Sequence, residues 1–313
     1  MTTSTGFISI LTPCRNEREN VRALCDQIRG AMQQVRDLQY EHLFIDNASS
    51  DGTQIELRKL AAEDVRVKVI LNQRNFGHVR SPFHGLMQAR GDAVIVMASD
   101  LQDPPTLIPD LIRLWQTGFY VVLGQKTNSA ETSIFFAARK AYYRLVKRLA
   151  DVELLENVTG FGLYDRRVIE AFRSLNDPYP YVRGLICELG YEVKLVPYLQ
   201  PRRVRGITKN NIYTLYDVAM LGITSHSKVP LRLATMLGFA ASAVSFLAAI
   251  GYLLYKLIYW DRFALGVAPV IIGLFFFASV QLFFIGIVGE YIGSIHTRVT
   301  KRPLVIEKER INF

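Results

Sequence analysis

Up to Lys126 the chain alternates between short apolar runs and longer segments whose apolar residues recur every three or four positions. FISILTP reads as a first strand, and NERENVRALCDQIRGAMQQV follows with Val21, Leu24, Ile28 and Met32 at helical spacing. YEHLFID predicts a second strand, DGTQIELRKLAAED a helix, VKVIL a third strand, HVRSPFHGLMQAR a helix and AVIVMAS a fourth strand. PPTLIPDLIRLWQTG predicts a helix with prolines in its first turn and Asp103 as its N-cap, and YVVLGQK a fifth strand. This alternation predicts an α/β fold, a mainly parallel sheet with helices on both faces. In such sheets ligands bind beyond the carboxyl ends of the strands, and the polar clusters TPCRNE, DNASSDGT, NQRNFG and SDLQDPP all fall there.

Further on the pattern changes twice. TSIFFAARKAYYRLVKRLAD is a basic, aromatic amphipathic helix, NVTGFGLYDRRVIEAF reads as a strand edge leading into a helix, and EVKLVPYL as another strand. NNIYTLYDVAMLGITSHSKVPLR has the look of a helix lying on a membrane surface. Then, from Leu233 to Tyr255 and again from Ala264 to Gly289, no residue carries a charge. Each stretch exceeds the ~20 residues a helix needs to cross a bilayer core, so a transmembrane hairpin is expected, spanning about 233–255 and 267–289. The expected division is a catalytic domain over 1–208, a surface helix over 209–230, and the two spans with a basic tail over 231–313.

Charge fixes the orientation. Arg202, Arg203, Arg205, Lys209, Lys228 and Arg232 precede the first span, and Arg298, Lys301, Arg302, Lys308 and Arg310 follow the second. The connecting loop has only Lys256 and Arg262, so both ends are expected in the cytoplasm, in a multi-pass protein of the cytoplasmic (inner) membrane. The start, MTTSTGFISILTP, shows no basic n-region or cleavage site, and the soluble part is expected to stay in the cytosol. The net charge of +9 crowds beside the spans, which suits anionic head groups of membrane lipids and not nucleic acid. Three scattered cysteines make neither a disulfide framework nor a metal-ligand pattern. Gly238 and Ser242 permit close helix approach and leave a homo-oligomer open.

Asp100 and Gln102, at the end of the fourth strand, offer the oxygen ligands that Mg²⁺ or Mn²⁺ shares with substrate phosphates. Asp46 closes an apolar strand and is placed to meet a base edge, whereas Asp51 is open to a capping role. Glu17 is either a first-turn acid or a ligand contact. His78 and His84 lie off a common face and are expected to be structural or surface residues, not metal ligands. There is no GxGxxG, P-loop or GxSxG, which removes the usual dinucleotide, ATPase and acyl-transfer signatures.

In this order the clusters resemble the family-2 glycosyltransferases of GT-A fold, with a Rossmann-like sheet. More narrowly they resemble polyprenyl-phosphate hexosyltransferases, related to dolichyl-phosphate mannose synthase and bacterial prenyl-phosphate glucosyltransferases. TPCRNERENV is similar to the family's P-x-x-N-E, DNASSDGT to D-x-S-x-D-G-T, RNFGHVRSPFHGL to R-N-F-G with its helix, and SDLQDPP to D-x-D-L-Q-D-P-P. VTGFGLYDRRVIE resembles the block carrying a further acid. The resemblance implies transfer of a hexose from a nucleotide-diphosphate sugar, a UDP-sugar by preference, to a polyprenyl phosphate with inversion. It implies that Pro13, Glu17, Asp46, Asp51 and Asn75 hold the nucleotide and that Asp100 and Gln102 hold Mg²⁺ or Mn²⁺. It also implies that Asp165 sits by the reacting centre. Among the basic residues near the membrane, Arg139, Lys140, Arg205 and Lys209 are the candidates for the lipid phosphate.

The chain departs from the pattern twice. Ala98 stands where D-x-D has its first acid, and Gly162 where many relatives have Arg in G-F-R-L. Two other readings stay open: a different lipid-linked or glycan acceptor, and a non-catalytic, membrane-anchored protein that binds nucleotide sugars.

Overall fold

The computed structural model describes residues 6–35, 38–127, 155, 157–201, 220, 229–259, 267–300 and 302–313. The amphipathic helix expected over 132–151 and most of the expected surface helix over 209–230 lie outside the described residues, as do Arg139, Lys140, Arg205 and Lys209.

The alternation read from the sequence is present. Strands β1 (Phe7–Cys14), β2 (Gln39–Asp46), β3 (Val67–Asn72) and β4 (Ala93–Val96) are joined by helices α1 (Val21–Met32), α2 (Thr53–Glu63) and α3 (Gly77–Gln88). A single 3-10 turn, Pro105–Leu107, leads into α4 (Ile108–Gln116), followed by β5 (Val121–Lys126) and β6 (Val158–Asp165). Then come α5 (Arg166–Leu175), α6 (Val182–Glu188), β7 (Val193–Tyr198), the long α7 (Val229–Ile258) and α8 (Val267–Val299), and finally β8 (Glu307–Ile311). The eight strands form one sheet in the order β7-β5-β6-β4-β1-β2-β3-β8.

Burial on both faces explains why the strands read as nearly continuous apolar runs. Leu43 and Ile45 of β2 pack with Phe83 and Leu86 of α3, while Phe44 between them packs with Leu57 and Leu60 of α2. Leu24 and Ile28 of α1 are fully buried beneath the sheet, contributing about 2 kcal/mol each. Gly85 brings α3 hard against the sheet, since a Cβ there would come within 2.6 Å of the Leu11 side chain. That approach holds one face of α3 over the carboxyl ends of β1 and β4.

Two departures concern strand direction and the chain's end. β6 is a full interior strand, antiparallel to both β4 and β5, and not merely an edge leading into a helix. The expected basic tail is also part of the sheet, because β8 pairs antiparallel with β3. Arg58 donates to both carboxylate oxygens of Glu309 at 2.5 Å, His84 Nε2 lies 2.5 Å from Glu307 Oε1, and Asn312 donates to the Ala61 and Val67 carbonyls. EKERI alternates inward and outward, which a count of charges alone cannot reveal.

This return has a topological consequence. A chain that leaves the domain through α7 and rejoins its sheet after α8 crosses any intervening bilayer an even number of times. Both helices are long enough, α7 at 30 residues extending about 45 Å. Their apolar side chains face outward: Phe239 is 73% exposed, Leu247 67%, Phe275 67% and Leu282 69%. A helix serving a protein core would bury them. Such faces suit association with a membrane.

Candidate active site

Along the carboxyl edge of the sheet, β3, β2, β1 and β4 end side by side, with Cys14 opposite Asp46 and Leu11 opposite Val96. A cavity of about 400 Å³ opens there. Pro13 comes to it from β1, Ala98, Asp100, Gln102 and Asp103 from the loop after β4, and Thr159, Gly160 and Phe161 from β6. One face of α3 supplies His78, Pro82, Phe83 and Leu86. The structure thus brings Pro13, Asp100 and Gln102 together as expected.

The loop after β4 is tightly turned. The Gln102 backbone N–H donates to Asp100 Oδ1 at 3.2 Å, and Leu101 between them holds a left-handed φ of 61°, uncommon for leucine. Asp100 and Gln102 consequently share one wall. Asp103 is not the expected N-cap. It is buried, accepting from the Ala98 backbone N–H at 2.9 Å and from the Tyr198 hydroxyl at 3.1 Å, while Pro104 holds the cap position of the following turn. Burial pushes the Asp103 carboxyl up, and the nearby charge of Asp100 adds to that shift. A long-range partner on β7 has overridden the local capping signal of Asp-Pro-Pro.

The residues expected around the nucleotide form an adjoining network. Asp46, fully buried, accepts from the Ser49 backbone N–H at 3.0 Å and from Gln54 Nε2 at 2.7 Å. Glu17 accepts from Asn20 Nδ2 at 2.6 Å, and its own backbone N–H donates to Thr53 Oγ1 at 2.9 Å. Asp51 accepts from the Thr53 backbone N–H at 3.0 Å and from the Arg18 backbone N–H at 3.3 Å. Burial raises the Asp51 pKa, but these bonds outweigh it and hold the carboxyl below its usual range. Asn75 faces its own loop, its carbonyl accepting from Asn47 Nδ2 at 2.8 Å and from the Gly77 backbone N–H at 2.9 Å.

Asp165 is not at this edge. β6 runs antiparallel to β4, so Gly162 lies opposite Val96 but Asp165 lies opposite Ala93, about 10 Å down the sheet. There it caps α5, accepting from the Arg167 backbone N–H at 2.9 Å, and it accepts from Trp115 Nε1 at 2.7 Å. Its expected place by the reacting centre is therefore corrected: it is a structural acid at the amino edge. The β6 residues that line the cavity, Thr159 to Phe161 and Tyr164, bring no carboxylate.

Three cavity residues escaped the sequence reading as site residues. Lys126 closes β5 just as Asp46 closes β2, and that signal was there to be used. Arg183 sits on the short α6 and His78 in the first turn of α3, with no local mark distinguishing either from a solvated side chain. His84, as expected, is structural, bound to the returning tail.

The donor set suits a hard cation shared with phosphates. Asp100 and Gln102 offer two protein oxygens, and Mg²⁺ is commonly held by one or two carboxylates together with substrate phosphates. Among the described residues no group of three or more His, Cys, Asp or Glu side chains could make a cage by itself.

The chain matches the model of Glycosyl transferase family 2 over residues 9–173 and that of the GtrB C-terminal hairpin over residues 229–295. It is 33% identical over 303 residues to the SfII prophage-derived bactoprenol glucosyl transferase of Shigella flexneri, covering 96% of this chain and 97% of that protein. Against the uncharacterized glycosyltransferase YkcC of Bacillus subtilis it is 33% identical over 299 residues, covering 95% and 92%. A crystal structure of glucosyl-3-phosphoglycerate synthase from Mycobacterium tuberculosis with phosphoglyceric acid has a similar fold. That likeness has a TM-score of 0.50 at 19% identity and covers 71% of this chain and 79% of that one.

Proposed function

The chain belongs to glycosyltransferase family 2, and from that premise we propose that it transfers glucose from UDP-glucose to a polyprenyl phosphate at the cytoplasmic face of the inner membrane. The observation that carries this reading is a join. The domain that places Asp100 and Gln102 on one cavity wall is the domain to which the chain returns after two outward-facing apolar helices. A soluble acceptor would give those helices no purpose, whereas a lipid phosphate is found only where they hold the site. The name of the Shigella flexneri relative supports both the acceptor class and the sugar.

In this reading Asp46, with Pro13, Glu17 and Asp51, holds the nucleotide, while Asn75 shapes the adjoining loop. Asp100 and Gln102 hold Mg²⁺ or Mn²⁺, which when bound offsets the charge of the departing diphosphate. An oxygen of the acceptor phosphate attacks the anomeric carbon from the face opposite the leaving group. The bond from that carbon to the diphosphate breaks, its electron pair leaves with the nucleotide, and the configuration inverts. No proton has to move, because a phosphate monoester with a second pKa of about 6 is mostly dianionic at neutral pH. A cavity without a β6 carboxylate suits such a nucleophile. Arg139, Lys140, Arg205 and Lys209 stay candidates for lipid contact. The catalytic domain would be 1–208 with 305–313 added, leaving 209–230 as the surface segment and the hairpin beyond it.

The test is nucleotide release by the detergent-purified protein, supplied with UDP- and GDP-sugars and Mg²⁺ or Mn²⁺, with and without polyprenyl phosphate. Release from UDP-glucose that needs the lipid phosphate and stops with EDTA is expected. Equal release without the lipid would sink the acceptor assignment.

A further inference from the structure

Gly162 leaves no room for a side chain at this point of β6. A Cβ there would lie 2.3 Å from the Val122 carbonyl oxygen and 2.8 Å from the Leu123 Cα, so a side chain would force β5 and β6 apart. A phosphate dianion entering a cavity that already holds Asp100 and Asp103 nevertheless needs a counter-charge, because unpaired charge is costly away from water.

The described wall offers one in Arg183. It is half-buried on α6, lines the cavity, and makes no side-chain hydrogen bond or ion pair among the described residues. Its charge reaches Tyr164 on the same wall, opposing the burial that pushes the tyrosine hydroxyl's pKa up. Other arginines of this layer are committed: Arg166 donates to the Ala89 carbonyl at 2.9 Å, and Arg173 to Glu170 at 2.6 Å. A guanidinium held ready in a cavity matches the planar, forked recognition of phosphate oxygens.

Position decides which phosphate. The segment leading into α6 touches the membrane hairpin, for Arg298 in the last turn of α8 lies 3.6 Å from the carboxylate of Asp177. Asp177 also accepts from the Tyr179 backbone N–H at 2.9 Å, just before Pro180 and Tyr181 join the cavity wall. The wall beside Arg183 is apolar, built from Val182 and, across from it, Pro82, Phe83 and Leu86 of α3. The nucleotide network lies towards β1 and β2. Building on the function proposed above, we infer that Arg183 grips the phosphate of the lipid acceptor, with the first prenyl unit against the α3 wall.

The test compares wild type, Arg183→Lys and Arg183→Gln as full-length protein in detergent, titrating polyprenyl phosphate at saturating donor and donor at saturating acceptor. Losing a charge-assisted bond predicts an acceptor KM raised about ten- to a hundredfold in Arg183→Gln. Arg183→Lys should fall between, with the donor KM unchanged in both. Farnesyl phosphate should compete with the acceptor and farnesol should not, and Arg183→Gln should weaken that competition by the same factor. A rise in donor KM instead would hand Arg183 to the diphosphate, and no change in either KM would overturn the inference. Should Arg183→Gln not fold, the charge-keeping Arg183→Lys still reads the loss of the forked geometry. If wild type transfers no sugar to polyprenyl phosphate, the proposed function falls separately. Calorimetric binding of farnesyl phosphate, with inorganic phosphate as the control, then decides the phosphate site: equal binding by Arg183→Gln would end it.

Discussion

Carboxylates gather at both ends of this sheet, but they are not all treated alike. At the amino edge they are enclosed by partners. Glu41 accepts from Ser9 Oγ at 2.5 Å and from the Arg90 backbone N–H at 3.1 Å, and pairs with Lys68 Nζ at 2.5 Å. Asp92 accepts from the Phe7 backbone N–H, and Asp165 caps α5 while holding Trp115. At the carboxyl edge Asp46 and Asp51 are bonded in the same way, whereas Asp100 lines the cavity at the strand ends, beside a buried Asp103 whose pKa is raised. An acid that ends or borders a strand is thus no indication of chemistry by itself. What distinguishes Asp100 is its place beside Gln102 on the wall of the cavity where four strands end together.

The sharpest way to break this contrast is to neutralise Asp100. Asp100→Asn keeps the size of the side chain and removes its charge from the cavity wall. If Asp100 carries the cation, transfer should fall at least about a hundredfold, several kcal/mol of transition-state stabilisation, with the unfolding midpoint unchanged. Activity within a few-fold of wild type would move the ion elsewhere. Next in size is Glu41→Ala at the opposite edge. It strands Lys68 in a largely buried position and leaves the Ser9 hydroxyl without its acceptor. The cost should be about 3 kcal/mol of stability, read by thermal or urea unfolding, while the KM for donor and acceptor stays put.

Much of this was legible before any coordinates. Strands buried on both faces leave apolar runs, and helices leave their own period, so β1 to β5 and α1 to α4 could be read, with the strand ends that hold Pro13 and Asp46 and the loop that holds Asp100. Strand direction leaves no such trace. VTGFGLYD looks the same whether it runs parallel or antiparallel, so nothing in it could check the place by the reacting centre that the resemblance implied for Asp165. The Asp103 capping signal was real but local, and Tyr198, far along the chain, prevailed. β8 was hidden because an edge strand with four of its five side chains charged resembles a solvated tail. Arg183 was hidden because its meaning lies in its place on the cavity wall, which no local pattern marks.

The amino edge should also respond to acid. His42 on β2 is fully buried with Nε2 3.0 Å from Thr12 Oγ1, and burial lowers its pKa to about 3. Above pH 6.5 the ring is neutral in both folded and unfolded chains and contributes no pH dependence. Below that the unfolded chain takes up a proton that the folded one refuses, so stability declines as pH falls from about 6.5 towards 3, by about 2 kcal/mol at pH 5. His42→Gln should flatten that decline in the unfolding midpoint between pH 7 and 5. A decline as steep as in wild type would assign it to other groups, such as Glu41, which Lys68 and its hydrogen bonds hold below the usual range against the effect of burial.

The smallest expected effect bears most directly on the contrast between the edges. Asp165→Ala removes an N-cap and the acceptor of Trp115 Nε1, together worth about 1–2 kcal/mol. Asp165→Asn should cost less, since asparagine caps almost as well as aspartate. If the acid is structural, both variants should keep the wild-type kcat and acceptor KM at temperatures where they remain folded, and their order in stability should follow capping strength. A catalytic acid would behave otherwise: asparagine would be as inactive as alanine, however stable the protein. Transfer lost in Asp165→Asn with the unfolding midpoint intact would therefore place Asp165 in the chemistry after all. It would require β6 to bring its far end to the cavity in the working enzyme, against the register that sets Asp165 opposite Ala93.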